Sequence, residues 1–385
     1  MKIVYCIPQL YRPGGIERIV SIKANYLAEV YGYEVTMVVA DQQGKEAFYK
    51  ISPRVKIVDL GLDYDGTLAL PIMKRLKERG RLHRLHREKL ERILMDERPD
   101  ITVSTFTHEA SFLPDIKDGS KKVLEFHFCR GHKRRMADAF GFPITKRLAY
   151  YFKCWQEENI IIPKYDQFVV LTNEDRELWQ TKIKNVVNMP NALSFETDET
   201  ATLDGHSAIA VGRLDAQKGF DRLIDIWHDV NKAMPDWTLH IYGQGSDEAL
   251  LKAQIHRLGL DGKTIIHEPN SNIKSCYLDS SIFVMTSHYE GLPMTLLEAT
   301  GLGLPSVCYD FKCGPRDVIV DGENGFLVKE GDALSLKQSL LRLMSDKALR
   351  QKMGQKAKQR SMQYERKKVM EKWNALFQSL IKEQR

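Results

Sequence analysis

The sequence predicts an α/β protein of two domains, and three observations carry that prediction. Short β-branched apolar runs alternate with helix-length amphipathic stretches along most of the chain, the pattern of a sheet flanked by helices. At 385 residues and 43% hydrophobic, the chain has enough apolar side chains for two cores, and folding buries about three quarters of the unfolded surface. The alternation breaks once, where residues 186–192 run into the polar stretch 194–207 before a fresh strand opens at 208–211, so the domain boundary falls near residues 190–205.

In order, residues 2–7 form the first strand, and Pro13-Gly14-Gly15 breaks it before a helix from about Glu17 that aligns Ile19, Val20, Ile22 and Leu27. Glycines in such a strand–turn–helix let backbone amides approach a phosphate; with no third glycine and no Walker lysine, a plain turn is the alternative. Strands follow at 35–40, 55–60, 101–106, 123–126 and 168–172. Residues 76–94 read as a basic amphipathic helix, with Leu82, Leu85, Leu90 and Ile93 at roughly helical spacing and nine Lys or Arg against three Glu between Lys74 and Arg92. His108 and His127 each follow a strand, at the edge where open α/β sheets bind ligands. Of the two, His127 is the stronger candidate, because it directly follows the 121–126 stretch that aims its ring into the crevice.

In the second half, strand 208–211 leads into Gly212-Arg213-Leu214-Asp215-Ala216-Gln217-Lys218-Gly219 and a helix with Phe220, Leu223, Ile224 and Trp227 on its inner side. Arg213 and Lys218 are cations at a strand end, suited to grip a diphosphate and offset its charge as it leaves; two surface cations are the plain alternative. Strand 237–242 ends in Gly243-Gln244-Gly245, where Glu248 stands in place of the third glycine of a dinucleotide fingerprint.

The most informative stretch is 286–305. Residues 281–285 read as a buried parallel strand, and Glu290-Gly291-Leu292-Pro293 as the loop after it. Pro293 suits a helix start, since its φ is already helical and its missing N–H costs nothing there. Met294, Leu296 and Leu297 give that helix an apolar side, and Glu290 and Glu298 face one crevice. Free N–H groups at Gly291, Leu292 and the helix start favour an anion in the same place. Two carboxylate acceptors beside an anion hole suit a sugar nucleotide, although spacing alone would leave them as solvated charges.

Composition narrows the class. The net charge of +6 is uneven, since residues 1–190 carry 32 Lys and Arg against 25 Asp and Glu, so the first half meets something acidic. With Arg130, Lys133, Arg134, Arg135, Lys146 and Arg147, the basic helix suits anionic lipid headgroups, a solvated face being the alternative. No nucleic-acid-binding signature is present. No apolar run approaches the roughly 18 residues of a membrane span, and the N-terminus is too short for a signal peptide, so a cytoplasmic protein is expected, with peripheral contact at the inner membrane face as an option. The six cysteines form no C-x-x-C pair and no metal spacing with histidine, so free thiols and no zinc are expected.

With these pieces in place, the chain resembles the retaining glycosyltransferases of the GT-B fold, the large bacterial polysaccharide and glycolipid family known as glycosyl transferases group 1. The resemblance rests on the order of Pro13-Gly14-Gly15 with Glu17, Gly212-Arg213-Leu214 with Lys218-Gly219, Glu290-Gly291-Leu292-Pro293 through Glu298-Ala299, Gly303-Leu304-Pro305, and Asp321-Gly322-Glu323-Asn324-Gly325. It implies two Rossmann-like domains facing across a cleft: an acceptor domain at 1–190, a linker at 191–205, a nucleotide-sugar domain at 206–360, and a C-terminal helix at 361–385 crossing back to the first domain.

The resemblance also implies roles. Glu290 would hold hydroxyls of the donor sugar and Glu298 the ribose, with Arg213 and Lys218 on the diphosphate. Gly14 and Gly15 would close over the donor, Gly243, Gly291, Leu292 and Pro293 would line it, and His127 would orient the reacting sugar. The donor is expected to be a UDP-sugar, the family's commonest, and the acceptor a glycan or lipid-linked glycan, with neither cofactor nor metal. Asp63-Tyr64-Asp65 resembles the metal-binding D-x-D of the other glycosyltransferase fold, but it lies in an early loop and reads as chance. The rival readings are a sugar-nucleotide epimerase or non-catalytic binder on the same fold, and an NAD-dependent oxidoreductase, for which the glycine fingerprint is incomplete.

Overall fold

The computed structural model describes residues 1–139, 141–270 and 272–382, so Ser271 of the 268–272 loop and the last three residues of the 361–385 segment lie outside it. The first sheet holds β1 (Lys2–Ile7), β2 (Glu34–Val39), β3 (Val55–Asp59), β4 (Ile101–Ser104), β5 (Lys121–Phe126), β6 (Gln167–Val170) and β7 (Val186–Asn188). The second holds β8 (Ser207–Val211), β9 (Thr238–Tyr242), β10 (Thr264–His267), β11 (Ile282–Met285), β12 (Ser306–Asp310) and β13 (Gly325–Lys329). Both are parallel, in the orders β3-β2-β1-β4-β5-β6-β7 and β10-β9-β8-β11-β12-β13.

The first sheet is flanked by α1 (Gly15–Glu29), α2 (Ile72–Glu97), α3 (His132–Ala139), α4 (Ile144–Gln156) and α5 (Asn173–Gln180). The second domain carries α6 (Phe220–Ala233), α7 (Glu248–Arg257), α8 (Ile273–Leu278), α9 (Met294–Gly301), α10 (Pro315–Val318), α11 (Ala333–Ser345) and α12 (Lys347–Ser361), followed by α13 (Arg366–Lys382). Strands such as β4, β6 and β11 are buried throughout, as near-continuous apolar runs between two helix layers should be.

Two details were not read from the sequence. Residues 186–188 pair with β6 as the edge strand β7, ahead of the linker expected at 191–205. The basic helix is longer than expected and buries Leu82, His86, Leu90 and Leu94, with Leu85 and Ile93 at the margin of the contact. Its ends are set by Pro71, which caps the start, and by Arg98, whose left-handed backbone closes the last turn before Pro99.

In each sheet the strand order reverses beside the first strand, between β1 and β4 and between β8 and β11. Loops leaving the C-terminal ends of strands diverge at such a point and open a crevice. The loops after β1, β8 and β11 are therefore where ligand groups are to be sought. Helix α13 packs Val369, Met370, Trp373 and Phe377 into the first domain's core against Val20, Ala24 and Leu27 of α1. Among the described residues, no helix is long and apolar enough to cross a membrane.

Candidate active site

The loops after β8 and β11 meet. Lys218 Nζ lies 2.6 Å from Glu290 Oε1, with both side chains nearly buried. Gln217 Nε2 donates to the Tyr289 carbonyl at 2.9 Å and to Glu290 Oε2 at 3.4 Å, while the His288 N–H donates to the Gln217 carbonyl at 2.8 Å. These bonds pin the two loops together at the switch point. Arg213 stands apart on the rim; 71% of its side chain is exposed, and it is held by Asp215 at 3.2 Å and Gln217 at 3.1 Å. Gly243 lies against the Gly212 carbonyl, which a Cβ would overlap, so it serves the close approach of the β8 and β9 ends.

Pro293 caps α9, whose first residue is Met294. Glu298, one turn on, points inward and is 3% exposed. Its Oε1 accepts from Arg18 Nη1 of the first domain at 2.7 Å, and its Oε2 from the Tyr277 hydroxyl at 3.1 Å. Burial raises the Glu298 carboxyl above its ordinary range, against the pull of Arg18. Leu292 is buried, and Gly291 abuts the His127 carbonyl of the first domain so closely that a Cβ would overlap it. Helix N-terminus, glycine and opposite domain thus converge on one point.

His127 follows β5. Its ring is buried rather than open to the cleft, with Nε2 3.9 Å from Glu125 Oε2 and no hydrogen-bond partner among the described residues. Burial, reinforced by nearby Lys23, lowers its pKa to about 3, so the imidazole is neutral at physiological pH. Behind it, Lys23 of α1 is ion-paired with Glu125, both fully enclosed, and Lys23 Nζ also sits 4.4 Å from the Trp373 ring centroid. Beside it lies Glu17, whose carboxyl burial raises and whose Oε1 accepts from Gln9 Nε2 at 2.8 Å. Gly14 leaves room for that carboxylate, whereas Gly15 faces open space. His108 stacks on Tyr64 at 3.7 Å between ring centroids, away from this cluster.

The structure therefore brings Lys218, Glu290, Gly291 and His127 to one place, with Glu298 on the same helix start, and leaves Arg213 at the rim. Sequence reasoning missed Arg18, Tyr277 and Gln217. Arg18 had a signal, as a cation in the first turn after the glycine break, but its partner lies 280 residues away. Further clasps join the domains: Asn173 donates to Asp317 Oδ1 at 2.9 Å from its N–H and 2.8 Å from its side chain, and the Cys313 N–H donates to Glu174 at 2.9 Å. Asp63 accepts from the Gly66 N–H at 2.6 Å, and Asp65 pairs with Arg12, so both members of the D-x-D have structural partners.

Residues 197–360 match the family model described as glycosyl transferases group 1. An uncharacterized glycosyltransferase of Haemophilus influenzae is 26% identical over 383 residues, covering 98% of this chain and 99% of that protein. The amylovoran biosynthesis glycosyltransferase AmsD of Erwinia amylovora is 34% identical over 221 residues, 55% of this chain and 62% of that protein. Among solved structures, a mutant of S. aureus TarM in complex with fondaparinux, alpha-GlcNAc-glycerol and UDP superposes with a TM-score of 0.75 at 17% identity, covering 98% of this chain and 99% of that one. Residues 197–360 are a glycosyl transferases group 1 domain, set in a chain with the GT-B glycosyltransferase fold.

Proposed function

We infer that the protein transfers a hexosyl group from a UDP-sugar to a hydroxyl of a glycan or lipid-linked glycan, with retention at the anomeric carbon and without a metal. The observation that carries this reading is the Lys218–Glu290 pair at the switch point of the second sheet, against a glycine that touches the His127 segment of the first domain. A diphosphate entering beside Lys218 separates the lysine from Glu290 and frees the carboxylate to accept sugar hydroxyls. Lys218, with Arg213 swinging in from the rim, then offsets the charge that grows on the leaving group.

In the step itself the bond between the anomeric carbon and the β-phosphate oxygen breaks, its electron pair staying with UDP. The acceptor oxygen bonds to the same face of the sugar, and its proton passes to a phosphate oxygen. No protein nucleophile is needed. His127, neutral and enclosed with its Nε2 toward Glu125, does not act as a base, and it orients the sugar only once its ring turns to the cleft as donor binds. UDP is favoured by its presence in the TarM complex, and a surface-polysaccharide acceptor by the relative named for amylovoran biosynthesis.

The test is a transfer assay with UDP-, GDP- and ADP-sugars, with and without EDTA, on wild type, Lys218→Ala and Glu290→Ala. Transfer from UDP-sugar that survives EDTA and is abolished in both variants is expected. Full activity in either variant removes the site assignment, and nucleotide binding without transfer or hydrolysis favours a binding protein.

A further inference from the structure

We propose that Cys129 and Cys313 form a reversible oxidation site, at which a low-molecular-weight disulfide converts two thiols into a bond that ties the domains together. Cys129 lies between β5 and α3 of the first domain, and Cys313 between β12 and α10 of the second. Both are 0% exposed, and their thiols are hydrogen-bonded to each other across the domain boundary.

The surroundings hold the pair in place. Cys313 Sγ is 3.5 Å from Asp175 Oδ1 of α5, the same oxygen that accepts the Arg130 N–H at 2.8 Å. The backbone that follows one cysteine and the side chain of the other thus share one acceptor. The Cys313 N–H donates to Glu174 Oε2 at 2.9 Å, and Lys312 is ion-paired with the other oxygen of Glu174. Cys313 also keeps φ at 63°, in the left-handed region that a residue with a Cβ seldom adopts and that packing must hold. Together these contacts seat the 312–313 tip of the second domain in a cup on the first, formed by Cys129, Glu174 and Asp175.

The two thiols differ in chemistry. The hydrogen bond from Cys313, with the Arg135 guanidinium nearby, lowers the Cys129 pKa below the ordinary thiol value against the effect of burial, whereas the same bond and burial raise that of Cys313. Cys129 is therefore the attacking sulfur. Its thiolate bonds to one sulfur of the small disulfide, and the other sulfur leaves as a thiolate that takes up the Cys129 proton. Cys313 then attacks the Cys129 sulfur, passing its proton by way of Asp175 to the second small thiolate as it leaves. The protein loses two hydrogens and two electrons, and the small disulfide is reduced to two thiols. Because both sulfurs are covered while the domains meet, the first exchange needs the cleft open and the second needs it closed. Oxidation does not rest on sugar transfer and is measured without nucleotide.

The experiment incubates the reduced full chain with oxidised glutathione, quenches in acid, counts thiols in denaturant and maps peptides without reductant. The six cysteines should fall to four free thiols, with one linked peptide pair holding Cys129 and Cys313, and dithiothreitol should restore all six. The oxidised chain should unfold at a higher urea concentration than the reduced one, since a long loop is closed. In Cys313→Ala the reaction should stop at a glutathione adduct on Cys129. Six thiols persisting in wild type, a link between other cysteines, or glutathione confined to the partly exposed Cys276 overturns the proposal. Peptide mapping of wild type decides this even where the alanine variant does not fold.

Discussion

Arg18 of the first domain holds Glu298 of the second: its Nη1 lies 2.7 Å from Glu298 Oε1, and Tyr277 occupies the other carboxylate oxygen at 3.1 Å. Removing one member of such a pair leaves a buried charge unanswered. Arg18→Met should lower stability by about 2 kcal/mol, less than for a fully enclosed pair because the arginine is partly solvated. Arg18→Met/Glu298→Gln should recover most of that loss in chemical denaturation. Additive losses would mean that the two residues do not couple.

The same carboxylate is the candidate ribose acceptor. Glu298→Gln should weaken UDP binding about tenfold in calorimetry, the loss of one charge-assisted hydrogen bond of about 1.4 kcal/mol, while leaving the kcat of saturated enzyme within a few-fold. A collapse of kcat at unchanged UDP affinity would place Glu298 in the chemistry instead.

Gly291 touches the His127 carbonyl, so a methyl group at this position collides only when the domains are together. Gly291→Ala should therefore leave thermal unfolding nearly unchanged, enlarge the radius of gyration seen by small-angle scattering, and depress transfer at least about tenfold by misplacing the two halves of the site. A large drop in melting temperature with no change in dimensions would contradict this.

His132 stacks on Phe128, with ring centroids 4.5 Å apart, and burial lowers its pKa to about 3. The unfolded chain takes up that proton near pH 6.5, so it binds more protons between about pH 6.5 and 3 and stability falls as pH falls through that window. At pH 5 the contribution lost is about 2 kcal/mol. Asp175, whose carboxyl burial raises to about 6, acts with the opposite sign: it favours folding at low pH and loses that contribution as pH rises through about 6. Comparing wild type with His132→Phe at pH 7 and pH 5 cancels the Asp175 effect. The variant should lose less stability on acidification, and equal losses would show that His132 is not titrating.

Lys218, Glu290 and Pro293 were legible in the sequence because their signals are local: a strand end, a glycine and a helix start. Arg18 and Tyr277 were not, since what defines them is a contact made across the cleft. Lys23 was not singled out in the sequence, yet it sits three residues after Val20 and four before Leu27 on the inward side of α1, so its phase was the available clue. The ring of His127 was placed at the right strand end but turned inward toward Glu125, because orientation depends on packing that no local pattern encodes.

The position of α13 has a consequence for the order in which the protein is made. Its Val369, Met370, Trp373 and Phe377 complete a core that begins with β1, and Asn374 Oδ1 accepts from the Tyr33 hydroxyl at 2.6 Å across 341 residues of sequence. A chain synthesised from its N-terminus exposes the α1 face of its first sheet until the whole second domain has left the ribosome. The first core cannot be completed until α13 has been made, so the half of the protein that begins translation is the last to receive all of its packing.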